Sequence, residues 1–395
     1  MMRMIFAASS YSKDRNAENA AEVCGRQAMA RLGRPKADVA LVFATLHHLR
    51  SFEVLLEKIR KVTGAAHITG SSASGILTEM AELDNGPGVS VLLLSSDDLA
   101  WDSFLVRHLQ ESNLRAGLRL GERIKNEFPD PSGLFMTADH FSFHSPIFFE
   151  GLESTCGYVP VLGGTASEDG KQEKTYQFHG TEVSYDAFGG FAFSGPARTE
   201  TALTQSCLPF GEPLRITRSR GHMIYELEGR PAYDIFIEHV SQIESEDPQK
   251  AHDDVMVGLP MRSFQTDFSK SNYVVHNITE VNTKSGVIAC TAPVEEGEFL
   301  TFAVRDAAYA RADMENTLRD LKTRLDGRKP AFGLYYNCAS RGKNLYGFPD
   351  QDVNLIRAAF PDLPVAGFFS YAELAPVDYI NHLHHYSGIL TVVAP

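Results

Sequence analysis

Asn337-Cys338-Ala339-Ser340-Arg341 sets a thiol just ahead of a guanidinium, at the end of an apolar run that begins at Phe332. The thiolate is the reactive form of cysteine, and a nearby cation lowers the thiol's pKa. Arg341 is such a cation, and His382 or His384 offers a base, so the pair has the parts of a cysteine nucleophile. The same residues read otherwise as a buried thiol beside an arginine that grips a ligand carboxylate or closes an internal ion pair. Downstream, Gly367-Phe368-Phe369-Ser370-Tyr371-Ala372-Glu373 carries a hydroxyl, a phenol and a carboxylate just past an apolar strand. Glu373 is placed to receive a ligand amine or to cap backbone N–H groups. Phe368, Phe369 and Tyr371 either wall a pocket or fill a core.

Two further stretches have the same form. One is Leu162-Gly163-Gly164-Thr165-Ala166-Ser167-Glu168, and the other is Thr69-Gly70-Ser71-Ser72-Ala73-Ser74-Gly75. In each, an apolar strand is expected to stop at a glycine, where the backbone turns sharply and a ligand can approach without a Cβ in the way. The hydroxyls that follow are donors and acceptors. Gly70 to Ser74 falls one glycine short of a nucleophile elbow, which would also need a partner Asp and His. His382 and His384 would share one face of a strand while His385 faces away, and no HExxH is present, so no metal is expected. No GxGxxG or Walker loop occurs, so neither a nucleotide nor another cofactor is expected. The residues expected to bind a ligand are Cys338, Arg341, Ser370, Tyr371, Glu373, Ser71, Ser72, Thr165 and Glu168. None is assigned a catalytic role.

The elements that must position these groups repeat. A strand from Val39 to Ala44 and a helix from Phe52 to Val62 precede Gly70. Leu134 to Thr137 and Pro146 to Cys156 precede Gly163, and Phe332 to Tyr336 and Asp350 to Phe360 precede Gly367. Strands from Val89 to Leu94, Phe188 to Phe193 and Ile389 to Val393 close the three units. Repeats of this length are supersecondary units that stack. The expected class is α/β (mixed α+β), in two domains built from strand-helix-strand units whose mixed sheets are covered by helices. Gly195-Pro196 marks the boundary, giving residues 1–197 and 198–395. Strands from Tyr273 to Ile278 and Gly286 to Ala289 are expected to pair.

At 395 residues the chain is too long for one ordinary core. Hydrophobic residues make up 43% and charged ones 22%, an ordinary globular balance. A net charge of −13 without a Lys/Arg run argues against nucleic acid and anionic membranes as partners. The five cysteines are scattered, with no CxxC, which fits free thiols in a reducing cytoplasm. No run is long enough for membrane insertion.

Gly211 to Phe236, with its Leu227-Glu228-Gly229-Arg230-Pro231-Ala232-Tyr233-Asp234 run, resembles the C-terminal FIST domain (F-box and intracellular signal transduction). So do Phe302 to Asp306, Asn337 to Gly342, and Gly367 to Pro376. Gly70 to Leu77 and Gly163 to Glu168 resemble the N-terminal FIST domain. The resemblance covers nearly the whole chain and implies a sensory module that binds a small ligand, with amino acids among the ligands suggested, and that works with a signalling protein partner. Two turns depart from the family pattern, Ala339-Ser340 before Arg341 and His385-Tyr386-Ser387. Two alternatives stand beside the sensor: an enzyme using Cys338 with His382 or His384, and a scaffold that binds another protein.

Overall fold

The computed structural model describes residues 4–243, 254–261, 266–268 and 273–395. Its centre is three parallel strand-helix-strand units. Val39–Thr45 and His67–Ala73 flank the helix Phe52–Thr63; Gly133–Ala138 and Leu162–Thr165 flank Ser145–Cys156; Phe332–Cys338 and Val365–Ser370 flank Gln351–Ala359. In register, Val42 faces Gly70, Met136 faces Gly163 and Tyr335 faces Gly367. The glycines therefore sit inside their strands, not at the strand ends expected from sequence. A Cβ on Gly70 would lie 1.8 Å from Val42 O, on Gly163 1.8 Å from Met136 O, and on Gly367 1.7 Å from Tyr335 O. Only glycine lets the paired backbones approach this closely.

Each unit is longer than its sequence signature. Val89–Ser96, Ala187–Ser194 and Ser387–Ala394 run antiparallel to the first strand of their units. Ile5–Ser12, Ala100–Arg107 and Arg198–Gln205 are added outside them. A second helix follows each of these outer strands. Ala17–Leu32 joins Phe52–Thr63 over the first sheet, and Asn113–Glu127 joins Ser145–Cys156 over the second. The second pair touch backbone to backbone: a Cβ on Gly117 would meet Phe148 O at 2.1 Å, and one on Gly151 would meet Leu114 O at 2.3 Å. Met314, Leu318, Leu321 and Leu325 pack with Val353 and Ile356 over the third sheet. The other faces of the three sheets share one core, in which Phe43, Phe135, Phe191, Tyr336 and Phe368 come from all three repeats.

The sheets are completed by exchange. The hairpin Ile76–Thr78/Ala81–Leu83, which follows the first unit, pairs with Val365–Ser370 of the third. Gln177–His179/Glu182–Ser184, after the second, pairs with His67–Ala73 of the first. Glu373–Val377, after the third, pairs with Leu162–Thr165 of the second. The exchanged hairpins occupy equivalent registers, Leu77 on Gly367, Phe178 on Gly70 and Leu374 on Gly163. One of them also latches a helix. Glu82 accepts the N–H groups of Asp350 (3.0 Å) and Val353 (3.1 Å), and Asp350 Oδ1 accepts Glu82 N–H at 2.6 Å. Val183 holds the position of Glu82 in the hairpin on the first repeat. There the start of Phe52–Thr63 has no side-chain cap and borders a cavity of about 330 Å3 lined by Arg50, Tyr176, Val183 and Tyr185.

The mixed α/β class expected from sequence holds. The boundary expected after residue 197 gives way to a discontinuous division. One compact unit holds Met1–Leu203, Met314–Leu383 and Ser387–Pro395; the other holds Thr204–Asp313 and His384–Tyr386. The third repeat belongs with the first two because its sheet and core are shared with them. Residues 206–306 stand between an outer strand and its helix, where the first repeat has residues 13–16 and the second has residues 108–112. This inserted unit is a barrel. Cys207–Arg220, Phe299–Arg305, Val255–Pro260, Tyr273–Asn282, Val287–Cys290 and Met223–Leu227 pair in that order, and the first and last also pair. The expected pairing of the strands starting near Tyr273 and Gly286 is present. Among the described residues, no helix is long and apolar enough to cross a membrane.

Candidate functional site

Past the three glycines the strands run to a common end of the three-repeat unit, and hydrogen bonds join the corners directly. Ser72 Oγ of the first repeat donates to Ser167 O of the second at 3.2 Å, and Ser167 Oγ accepts Ser74 N–H at 2.8 Å and donates to Phe369 O of the third. Thr165 N–H donates to Ala372 O at 2.7 Å, and Thr165 Oγ1 accepts Ala372 N–H at 3.0 Å. Ser71, Ser72, Thr165 and Ser370 are all buried. Ser72 and Thr165, expected to bind a ligand, satisfy backbone groups of the neighbouring repeat, and Ser370 bonds Asn337 O and Glu373 within its own, so the corners form a knot. Ser71 Oγ is buried with no hydrogen-bond partner.

Tyr371 lies at the edge of this knot, with Glu168, 4% exposed, beneath its hydroxyl. Tyr371 is half-buried, and its hydroxyl reaches Glu168 O at 3.1 Å and Glu168 Oε1 at 3.2 Å. Glu168 Oε2 accepts the N–H groups of Lys171 (2.8 Å) and Gln172 (2.9 Å). Burial alone would raise this carboxyl's pKa. The backbone N–H groups of Gln172 and Lys171 outweigh it, and the group is held below its usual value, ionised at neutral pH. Burial, with the Glu168 charge behind it, pushes the Tyr371 phenol up to about 12, so it stays protonated. The His140 ring lies 4.9 Å from the Tyr371 ring at 63°, with Nδ1 3.1 Å from Thr165 Oγ1. Burial lowers its pKa and favours the neutral imidazole. Phe141, 43% exposed, stands 6.4 Å from Tyr371 at 83° and 5.4 Å from His140 at 81°. Three aromatic rings thus meet edge to face beside an ionised carboxylate. Aromatic faces and a carboxylate both attract an organic cation.

Cys338, Arg341 and Glu373 lie deeper, and the structure revises their expected roles. Arg341 is 0% exposed. Its Nε and Nη2 reach both oxygens of Asp352 at 3.0–3.1 Å. The carboxylate expected from a ligand is supplied by the chain, because the helix Gln351–Ala359 presents Asp352 inward from its first turn. Asp352 also accepts from Tyr335 Oη (2.9 Å), Asn337 Nδ2 (3.1 Å) and Tyr346 Oη (2.9 Å), while Arg341 Nη1 is buried without a partner. Glu373, also 0% exposed, takes the hydroxyls of Ser370 and Ser387 at 2.6 Å each, which fills the place expected for a ligand amine. Burial pushes its carboxyl up to about 8 despite those two donors. Cys338 is buried with its Sγ 3.0 Å from Ser340 Oγ. His382 lies on the strand Ile380–His384, its pKa lowered by burial.

His140, Phe141, Asp352 and Glu82 were not singled out from sequence. A signal for His140 was present: aligning the repeats on Gly163 and Gly367 sets Asp139-His140 against Cys338-Ala339. Among the described residues, no three His, Cys, Asp or Glu side chains are grouped to hold a metal ion.

The chain is 26% identical over 355 residues to an uncharacterised protein of Mycobacterium tuberculosis strain H37Rv, covering 90% of each chain. It is 24% identical over 377 residues to an uncharacterised protein of Mycobacterium bovis, covering 95% of this chain and 96% of the other. Superposition on the crystal structure of cyanuric acid hydrolase from A. caulinodans gives a TM-score of 0.36 at 10% identity over 99% of both chains, too low to support a functional comparison. The family models do match: the FIST N domain over residues 38–230 and the FIST C domain over residues 232–376. FIST domains are sensory domains of signal transduction. With both domains present, in order and over nearly its whole length, the chain belongs to the FIST family.

Proposed function

We propose that this protein is a cytoplasmic sensor that binds a small ammonium-bearing ligand, such as an amino acid, and passes its occupancy to a signalling protein partner. The observation that supports this reading is the cluster at Tyr371, whose ring meets those of His140 and Phe141 and whose hydroxyl reaches the ionised Glu168. A ligand ammonium would take the ring faces and the carboxylate together. Thr165 holds the imidazole of His140, and Ser72 and Ser370 hold the corners in place. Arg341, Cys338 and Glu373 form the rigid floor beneath, so the strand ends bearing Tyr371 keep their geometry.

Thermal-shift measurement across the amino acids and simple primary amines tests the proposal. A ligand at 100 times its Kd adds about 2.7 kcal/mol to the folded state, which reads as a melting shift of several degrees. Phe141→Ala, at an exposed position, should leave the unliganded melting temperature nearly unchanged and weaken the shift. A panel in which no amine shifts the protein, or a Phe141→Ala variant that responds as the parent does, would reject the reading.

A further inference from the structure

The strand ends that carry the corner knot lie past Cys338 and Ser370. Where the same strands of the third repeat begin, the structure holds a second cavity, of about 320 Å3. That is within the roughly 300–1,000 Å3 of small-molecule sites. Its floor is apolar: Leu325 and Leu363 are 2% and 3% exposed, and Phe360 is 9% exposed. Its rim is basic. Lys322 sets its ammonium 5.5 Å from the Phe360 ring, Arg328 donates to Pro395 O at 3.3 Å, and Lys329 pairs with Asp362 at 3.1 Å. Asp362 offsets Lys329, which leaves Lys322 and Arg328 without a lining carboxylate to balance them. On a chain of net charge −13, two such cations beside an open apolar surface make a local reversal of sign. The helices Ala307–Leu325 and Gln351–Ala359 both end here.

We infer that this cavity is a binding site for an amphiphilic carboxylate, an aliphatic or aromatic acid whose apolar body fills the space above Phe360, Leu325 and Leu363 while its carboxylate meets Lys322 and Arg328. Apolar burial supplies the affinity, and the two cations select a carboxylate over the alcohol or amine of the same skeleton. This site shares no residue with the rim around Tyr371 and takes a ligand of opposite charge. It therefore stands apart from the amine-sensing proposal.

The experiment compares octanoate, octanol and octylamine by titration calorimetry on the full-length protein. Octanoate is expected to bind saturably, at least about tenfold tighter than either comparator. The exposed double substitution Lys322→Gln/Arg328→Gln, shown to be folded by its unchanged melting temperature, should cut octanoate affinity about tenfold and leave octanol unchanged. Ala359→Trp should fill the cavity and weaken all three probes. Tyr371→Phe should leave octanoate binding as it was, which separates failure here from failure of the amine reading. Octanol or octylamine binding as tightly as octanoate, octanoate binding undiminished in the double variant, or no binding by any of the three would each overturn the inference.

Discussion

Asp352→Ala would leave the Arg341 guanidinium inside the protein with nothing to balance it. In the native structure that carboxylate accepts Arg341 through Nε and Nη2, and also holds Tyr335, Asn337 and Tyr346. Both partners of the ion pair are 0% exposed. Removing one partner of a buried pair costs about 3–5 kcal/mol, chiefly because the remaining charge has lost its solvation and its counter-charge. Each neutral donor left unsatisfied adds about 1–3 kcal/mol. Asp352→Ala should therefore cost at least about 4 kcal/mol, a large share of a typical folding free energy. Arg341→Met removes the charge that makes the loss so costly. In that background Asp352→Ala should cost about 3 kcal/mol less. Urea unfolding followed by fluorescence of the single tryptophan reads the correct unit, because Trp101 packs 5.4 Å from Phe193 in the second sheet of the three-repeat unit. Equal costs of Asp352→Ala in the two backgrounds, or a cost below about 1 kcal/mol in the parent, would refute the assignment of Arg341 to a structural pair.

Gly70→Ala drives a Cβ to 1.8 Å from Val42 O on top of a φ of +147°, and should give little soluble protein, whereas Gly86→Ala, with a φ of +93° but nothing within 4 Å, carries only the backbone strain of about 1–3 kcal/mol and should give clearly more; comparable soluble yields would contradict the account. Glu373, with its carboxyl near pH 8 when folded against about 4.3 when unfolded, contributes stability that is full below about pH 4 and is lost as pH rises towards 8. Relative to the parent, Glu373→Gln should thus be more stable at pH 8.5 than at pH 5, and a flat difference between the two would count against a protonated carboxyl. Cys156 is the partly exposed thiol of the five, so it should label first under native conditions, with Cys338 protected until unfolding; early labelling of Cys338 would revive the cysteine-enzyme reading. Val183→Glu should set a carboxylate at the uncapped start of Phe52–Thr63, as Glu82 does at Gln351–Ala359, and raise stability by about 0.5–1 kcal/mol, whereas a lowered melting temperature would show that the two hairpins are not interchangeable.

The inner strand-helix-strand of each repeat was legible because its apolar strands and amphipathic helices carry their own periodicity. Glycine placement was half legible. The repeated Gly was visible, but a glycine that ends a strand and one that admits a facing carbonyl look alike in one dimension. The exchanged hairpins were not legible, since Ile76–Thr78 and Gln177–His179 are too short to show alternation and their partners are remote in sequence. Equivalence of the outer halves was hidden by residues 206–306, which part the third outer strand from its helix. At the site, Tyr371 and Glu168 were found from residue type and spacing. His140 and Phe141 were missed because nothing local distinguishes them from an ordinary turn. Arg341 was singled out with its partner left open between a ligand carboxylate and an internal ion pair, because the carboxylate that meets it comes from a helix eleven residues on, at Asp352.

The exchange of hairpins has a consequence for synthesis. As the nascent chain emerges, Ile76–Leu83 has no strand to join until Val365–Ser370 has been made, so the earliest repeat waits, partly unzipped, for the latest. Its buried edge is then open to other chains at the stage when they are most crowded around it. Folding on the ribosome should therefore depend on chaperone protection until late in translation, and an early stall should yield an aggregation-prone fragment, not a free-standing first repeat.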